Sequence, residues 1–174
     1  MPKFNVKKFF KGENVYGFGN KEYSYAFTKF AAIKMPKDHP MRDESAKDIK
    51  FADWDAEVSK KKSIQLIPEM LNTEILTENV INLSSICVKT NHCIARLFYT
   101  DYEGVTYPIL LNSKYVDMLE LWSMKAYMPV PSDNYKPMIF KDDDGLEVAV
   151  MPIANCRYLK KDELIKLSNA YGVI

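Results

Sequence analysis

The chain contains few residues that could carry out covalent chemistry, because it has only two histidines and three cysteines among 174 residues. Cys87, His92 and Cys93 lie close together, and thiol and imidazole groups are preferred ligands of Zn²⁺. Their spacing differs from that of a zinc knuckle, and Cys156 is distant in the sequence. We therefore interpret these groups as buried thiols and a strand-end histidine, and we predict no metal site here.

Motifs that assemble a catalytic site are absent from the sequence. It has no Gly-x-Ser-x-Gly, no His-Glu-x-x-His and no P-loop lysine. Gly17 and Gly19 are spaced as in a dinucleotide-binding loop, but Glu22 occupies the position of the third glycine, so this segment predicts a turn. We predict that the protein is not an enzyme, has no catalytic residues and uses no cofactor.

Three successive aspartates, Asp142, Asp143 and Asp144, precede Gly145. They lack the alternating positions and the distal glutamate of a calcium-binding loop. An acidic run that ends in glycine is typical of a solvated hairpin tip, and we predict that structure without a bound metal.

A basic and aromatic stretch at the N-terminus is the best candidate for ligand binding. Residues 1–37 hold eight lysines, two acidic residues and nine aromatic residues. Proteins hold single-stranded nucleic acid with cations along the phosphates and with aromatic rings that stack on bases, each stack contributing roughly 1–3 kcal/mol. The alternative is that the aromatic residues form core and the lysines form the outer face of strands. The candidate nucleic-acid-binding residues are Lys7, Lys8, Lys11, Tyr16, Phe18, Lys21, Tyr23, Tyr25 and Lys29.

The overall composition is that of an ordinary globular domain, with 47% apolar and 27% charged residues. The net charge of +1 gives no global indication of nucleic-acid binding, and residues 63–174 carry more acidic than basic residues. An odd number of cysteines favours reduced thiols in a cytosol. No apolar run of 18 residues and no signal peptide is evident, so we expect a cytoplasmic protein that is neither secreted nor membrane-spanning.

Patterning along the chain divides it into three segments. Residues 1–35 form a basic, aromatic, β-rich segment, in which Tyr23, Tyr25 and Phe27 alternate with smaller residues as in a strand. Residues 36–62 form a charged linker or loop, and residues 63–174 form an α+β core. The predicted fold class is α+β, with antiparallel β-hairpins packed against about three helices.

The predicted elements of the core segment are two hairpins and three helices. The hairpins join residues 93–100 to 105–111 and residues 137–141 to 146–153. The first helix has Pro68 in its first turn and extends to about Ile81, and the last extends from about Lys161 to Tyr171. The second begins at a cap, Asn112 or Ser113, and ends at the Pro-rich connection that starts at Pro129.

The second of these helices is predicted from four residues at helical spacing, Tyr115, Met118, Leu119 and Trp122. We expect Trp122 to be buried, and Val148 and Val150 of the last hairpin to face this helix.

Three short strings within residues 111–153 resemble the end of the bacterial DNA polymerase III sliding clamp. A strand ends at Asn112, where a helix begins that carries Tyr115; Lys136-Pro137 opens a strand; and Val150-Met151-Pro152 closes the last strand. The resemblance covers about a quarter of the chain.

This resemblance implies a clamp-like half-module of one helix and an antiparallel sheet in the C-terminal part of the chain. In the clamps this half-module is repeated, helices line a DNA-sized hole, and a ring would need several chains of this length. The resemblance also implies that Met151 and Pro152 line a protein-binding pocket for short linear motifs.

We therefore predict a non-enzymatic DNA-metabolism accessory protein with a clamp-like C-terminal half. Its partners would be DNA, single-stranded or duplex, or a protein of the DNA-processing machinery, and a ring would require an oligomer. The alternative is a small inhibitor, encoded by a phage or mobile element, that acts by protein–protein interaction.

Overall fold

Most of the described chain is β-strand. The computed structural model describes residues 4–13, 15–19, 21–39, 52–53, 77–78, 81–90, 93–102, 105–128 and 137–153. The strands are β1 (Tyr16–Gly19), β2 (Tyr23–Phe27), β3 (Ala31–Pro36), β4 (Ala52–Asp53), β5 (Thr77–Glu78), β6 (Ile81–Lys89), β7 (Ile94–Tyr102), β8 (Val105–Asn112), β9 (Lys125–Met128), β10 (Met138–Lys141) and β11 (Glu147–Val150). The described helices are α1 (Val6–Phe9), α2 (Ser113–Val116) and a 3₁₀ helix (Leu121–Ser123).

The strands form two sheets, a large one of eight strands and a small one of three. The order in the large sheet is β4-β1-β2-β3-β11-β10-β9-β5, and the order in the small sheet is β6-β7-β8. All described pairings are antiparallel except that of β4 with β1. The fold is therefore rich in antiparallel sheet, as the sequence predicted.

Two similar halves contribute six of the eight strands of the large sheet. Helix α1 is followed by the three-stranded meander β1-β2-β3, and α2 is followed by the meander β9-β10-β11. An asparagine side chain caps each helix, since Asn5 accepts a hydrogen bond from the Lys8 amide and Asn112 accepts one from the Lys114 amide. The last strands of the two meanders pair with each other, with Ile33 opposite Val148.

This central pairing unites segments that the sequence patterning separated. Strand β3 belongs to the N-terminal β-rich segment, and β11 belongs to the predicted core segment. Residues 1–35 and 63–174 therefore contribute strands to one sheet. Of the predicted linker, the structure describes residues 36–39 and 52–53, and the latter pair with β1.

Both predicted hairpins of the core segment are confirmed. Strands β7 and β8 pair antiparallel, and so do β10 and β11. The alternation of Tyr23, Tyr25 and Phe27 is likewise confirmed as strand β2.

The helix predictions are less accurate. Thr77–Glu78 is strand β5 and Ile81 begins β6, so the first predicted helix is wrong at its C-terminal end. The earlier residues of that helix lie outside the described residues, and so does the predicted helix near 161–171. Helix α2 ends at Val116, and a 3₁₀ helix followed by strand β9 replaces the rest of the predicted helix. Trp122 is 80% exposed, which corrects the prediction that it is buried. Among the described residues, no helix has the length and hydropathy needed to span a membrane.

The helices, one face of the large sheet and part of the small sheet enclose the main core. Val148 and Val150 are fully buried there beside Tyr115 and Leu119, as predicted for the last hairpin. We call this face of the large sheet its first face and the opposite one its second face. The buried residues of the main core are Phe4, Val6, Phe9, Phe10, Ala26, Ala31, Ile33, Met35, Phe98, Ile109, Leu111, Tyr115, Val116, Leu119, Met138, Phe140, Leu146, Val148 and Val150.

The turn between β10 and β11 requires glycine at position 145. Gly145 has φ +89°, and a Cβ atom there would lie 3.1 Å from Cγ of Pro36. Gly12 has a similar φ of +81°, but a Cβ atom there would meet no other atom within 4 Å. Substitutions at the two positions can therefore separate the effect of backbone conformation from the effect of close packing.

We expect Gly145→Ala to lower the free energy of unfolding by more than Gly12→Ala does. The left-handed conformation costs alanine about 1–2 kcal/mol in both variants, and only Gly145→Ala also crowds Pro36. Urea denaturation of the two variants and the wild type measures the difference. Equal losses would contradict the close packing of the turn against Pro36.

Candidate nucleic-acid interface

Three lysines and one glutamate lie in a single row across the second face of the large sheet. Successive strand partners in the register are Tyr25, Lys34, Glu147, Lys141 and Lys125, on β2, β3, β11, β10 and β9. We call these five residues the lysine row. Because partners in register point to the same face of a sheet, the row places three cations on one face, with Glu147 between Lys34 and Lys141.

Glu147 holds two of these lysines in place. Its Oε1 atom lies 3.4 Å from Nζ of Lys34 and 3.1 Å from Nζ of Lys141. The Glu147 side chain is only 4% exposed, whereas the two lysine side chains are partly exposed and Lys125 is exposed. The buried Glu147 carboxylate thus holds two ammonium groups that still reach solvent. Because the row contains three lysines and one glutamate, its net charge is positive.

Aromatic side chains surround the lysine row. Nζ of Lys34 lies 4.6 Å from the ring centroid of Tyr23, a cation–π distance. The rings of Tyr16 and Phe27 stack with centroids 5.7 Å apart, and Tyr16 is 53% exposed. Tyr127 of β9 lies on the same side of the row as Phe27 but at the other end of the face, and it is partly buried. The second face therefore combines cations with rings that reach solvent near its margins, whereas Ala32, Ala149 and Ile139 between those rings are buried.

Tyr25 has a different position from the other aromatic residues. It is 5% exposed, so its ring supports the face from within and does not present a surface on which a base could stack. Burial first, and then the negative charges of Tyr23, Glu147 and Glu22, raise the pKa of Tyr25 to about 12.

The predicted binding residues do not all lie on this face. Tyr16, Tyr23 and Tyr25 do, and Phe18 is the backbone partner of Tyr25 in β1. Helix α1 packs on the first face, so its exposed lysines lie on the other side of the sheet. Two further lysines are exposed in the turns that flank β2. The α1 lysines are Lys7, Lys8 and Lys11, and the turn lysines are Lys21 and Lys29.

Lys114 and Tyr115 of α2 form hydrogen bonds to the segment that follows α1. Lys114 donates hydrogen bonds to the Glu13 carboxylate and to the Lys11 carbonyl, and the Tyr115 hydroxyl donates to Glu13 at 2.7 Å. Burial acts to raise the pKa of Glu13, but hydrogen bonds from Lys114, Tyr115 and Thr28 outweigh it, so the pKa is lowered. Burial and the bond to Glu13 raise the pKa of Tyr115. This network joins α1 to α2.

Met151 and Pro152 lie in the segment that follows β11. The Met151 amide donates to the Phe30 carbonyl at 2.9 Å, and the Ile153 amide donates to the Leu110 carbonyl at 2.8 Å. The segment therefore passes from the large sheet to the small one, with Met151 and Pro152 partly buried. A described cleft of about 150 Å³ lies elsewhere, between α1 and the connection from α2 to β9.

The cysteines differ from the prediction of buried thiols. Cys87 is exposed on β6, because the partly buried positions of this strand are its neighbours Ile86 and Val88. Cys93 is partly buried, and its carbonyl accepts a hydrogen bond from the Thr90 hydroxyl at 2.9 Å. His92 lies outside the described residues.

Sequence reasoning counted Lys34 among the basic residues of the N-terminal stretch, but it missed Lys125, Lys141 and Tyr127 as parts of the same site. Strand alternation alone places Lys34 on the face of Ala32, and Lys141 on the face of Ile139. It does not indicate that β3 and β11 are neighbours, and only that pairing brings the lysines together.

Comparisons with known proteins give no assignment for this chain. No family model, no curated protein and no solved structure matches it. The resemblance to the sliding clamp therefore stays a prediction, and the function has to be argued from the geometry of the site.

Proposed function

We propose that the protein is a non-enzymatic DNA-binding accessory protein that holds single-stranded DNA on the second face of its large sheet. The observation that carries this proposal is the lysine row, in which Lys34, Lys141 and Lys125 share one register line with aromatic rings on both sides. Cations and aromatic rings on one surface are the two elements that bind single strands independently of sequence.

The spacing of the row suits a chain of phosphates. Neighbouring strands lie about 4.8 Å apart, so Lys34 and Lys141 are separated by roughly 10 Å, and Lys125 follows one strand further on. An ammonium group has three N–H donors, so a lysine that is paired with Glu147 can still bind a phosphate oxygen. Glu147 fixes the lysines before DNA arrives, which reduces the entropy that binding must overcome.

The aromatic residues supply contacts to the bases of the DNA, whereas the lysines supply contacts to its phosphates. Tyr16 on Phe27 forms a stacked pair at one side of the face, and Tyr127 lies at the other side. A base that stacks on an exposed ring contributes roughly 1–3 kcal/mol. The DNA would thus cross the strands, with phosphates over the lysine row and bases at its margins.

We expect the triple variant Lys34→Gln, Lys125→Gln, Lys141→Gln to bind a labelled oligothymidine roughly a hundredfold more weakly than the wild type. Three charge-assisted contacts are lost, at about 1 kcal/mol or more each. The slope of log K against log salt should also decrease in magnitude by about 2. Fluorescence anisotropy over a salt series measures both quantities.

The matched control is Lys7→Gln, Lys8→Gln, Lys11→Gln, which removes the same charge from the opposite side of the sheet. It should keep most of the affinity for oligothymidine. Equal losses in the two triple variants would mean that net charge, and not the row, determines binding. If the wild type binds no DNA even at low salt, the DNA proposal fails and the alternative of an inhibitor that acts on another protein gains support.

The second candidate is a clamp-like mode in which α1 contacts duplex DNA. It is supported by the two similar halves of the large sheet and by the exposed Lys7, Lys8 and Lys11 on the helix-bearing side. In this mode the control variant, not the row variant, would lose affinity for a duplex, and assembly would be seen as an increase in size-exclusion mass with DNA. Met151 and Pro152 would then bind short linear motifs of partner proteins. A third helix would complete the core, and the protein would act in the cytoplasm.

A further inference from the structure

A histidine and two aspartates converge where the end of β3 meets the turn between β10 and β11. His39 is buried, and its Nε2 atom lies 2.9 Å from Oδ2 of Asp142. A carboxylate oxygen of Asp144 completes a group of three ligand atoms that all lie within 4.8 Å of one another. The aspartates were predicted to be only a solvated hairpin tip, and His39 was assigned to the linker, so the sequence did not indicate this cluster.

Backbone interactions hold both segments of the cluster in place. The His39 amide donates to the Pro36 carbonyl, and the Lys37 amide donates to the Glu22 carbonyl. On the other segment, Oδ1 of Asp142 accepts a hydrogen bond from the Leu146 amide at 2.8 Å. The Asp142 carboxylate is therefore oriented by its own turn, with its second oxygen directed at His39.

We propose that His39, Asp142 and Asp144 bind a divalent transition-metal ion, with Zn²⁺ as the preferred ion. Zinc bonds to imidazole nitrogen and carboxylate oxygen are about 2.0–2.2 Å long, so two ligands of one ion lie roughly 3 Å apart. The separation of His39 Nε2 and Asp142 Oδ2 agrees with this value. An imidazole ligand favours Zn²⁺ over Mg²⁺ and Ca²⁺, which prefer oxygen ligands alone.

The surroundings leave room to complete the coordination. Asp142 and Leu146 form part of the wall of the cleft of about 150 Å³, which Phe4 and Met118 also line. Asp144 is exposed, so the ion has access from solvent. Three protein ligands and a water molecule from the cleft would give the four ligands that Zn²⁺ usually takes. The ion would link segments that are 103 residues apart in the sequence.

The test is a Zn²⁺ titration of the full chain carrying His92→Gln, which leaves His39 as the single histidine. Histidine ring nitrogens observed by NMR should shift on addition of ZnCl₂, and calorimetry should give the affinity. Asp144→Ala should then weaken Zn²⁺ binding at least about tenfold, because even outer partners of a metal site change affinity by about 10–100-fold. Asp143→Ala is the matched control, since Asp143 is an exposed neighbour outside the cluster.

An unchanged affinity in Asp143→Ala together with the loss in Asp144→Ala would support the site. The proposal is overturned if the His39 nitrogens do not respond to Zn²⁺, or if both aspartate variants lose the same affinity, which would indicate nonspecific attraction to an acidic turn. It is also overturned if MgCl₂ competes with equal strength, because a site with an imidazole ligand discriminates against that ion.

Discussion

Replacing Phe9 with alanine should lower the free energy of unfolding by about 3–5 kcal/mol, the cost of truncating a large buried aromatic residue. The Phe9 side chain is fully buried. Its ring centroid lies 5.4 Å from that of Phe4, 4.8 Å from that of Phe10 and 5.1 Å from that of Tyr115. Because Phe9 belongs to α1 and its ring contacts Tyr115 of α2, the cavity would open where the two helices meet. Urea denaturation followed by far-UV circular dichroism measures the loss.

Trp122→Ala is the matched control, because it removes an even larger ring from a position that is 80% exposed. This variant should stay within about 0.5 kcal/mol of the wild type, as exposed substitutions usually do. A loss as large as that of Phe9→Ala would contradict the position of the 3₁₀ helix at the surface and would support the continuous helix that the sequence pattern suggests.

Val148→Asp should leave the protein unfolded near neutral pH. Val148 is 0% exposed in the central strand β11 and packs in the main core. An unpaired carboxylate in such a site costs several kcal/mol, comparable to the roughly 5–15 kcal/mol that stabilises a whole domain. Burial raises the pKa of such a carboxyl, so the destabilisation is complete above that pKa and decreases as the pH falls.

Part of the fold should therefore return at about pH 5. The pKa of Glu13 is lowered from 4.5 in the folded protein, so its contribution to stability is present above pH 4.5 and is not yet lost there. Circular dichroism and one-dimensional NMR at the two pH values measure the recovery. Glu147→Gln is the control on the same strand, and it should stay folded, because that side chain lies among lysines on the second face. A Val148→Asp variant that is as stable as wild type would place β11 outside the core.

Local patterns predict the hairpins well, because strand alternation and a turn sequence act over fewer than ten residues. The run Asp142-Asp143-Asp144-Gly145 marks a turn, and Gly145 supplies the positive φ that the turn needs. The strands on either side then follow from the alternation of Val148 and Val150 with Glu147 and Ala149.

The same kind of reasoning fails for the helix after Asn112, although most of its contacts are predicted correctly. Tyr115, Leu119 and Met118 do pack against the main core. The chain leaves the helical conformation by Glu120, which has φ −82° and ψ 69°, and enters β9 at Lys125. Helical spacing shows which residues face the core, but it does not show that the helix continues through all of them.

The candidate interface depends on a pairing that no local pattern contains. Strand β2 and the hairpin of β10 and β11 could be derived from their own residues, whereas the contact of β3 with β11 arises because both strands bury Ile33 and Val148 in one core. The lysine row is a consequence of that shared burial. A sequence reading could therefore identify aromatic residues in the N-terminal stretch, but it could not find Lys141 and Lys125 as their neighbours.

The central pairing also determines when the protein can fold during its synthesis. Lys34 and its partner Glu147 are 113 residues apart, so the two halves cannot join until the residues up to β11 have left the ribosome. Contacts of such high sequence separation slow folding, because the chain loses the entropy of closing a long loop before the favourable contacts form. Until then the inner edge of β3 is unpaired, and an exposed strand edge favours aggregation. A short delay in translation before the last meander would therefore favour misassembly, and chaperone binding to the nascent N-terminal half would favour a high yield of native protein.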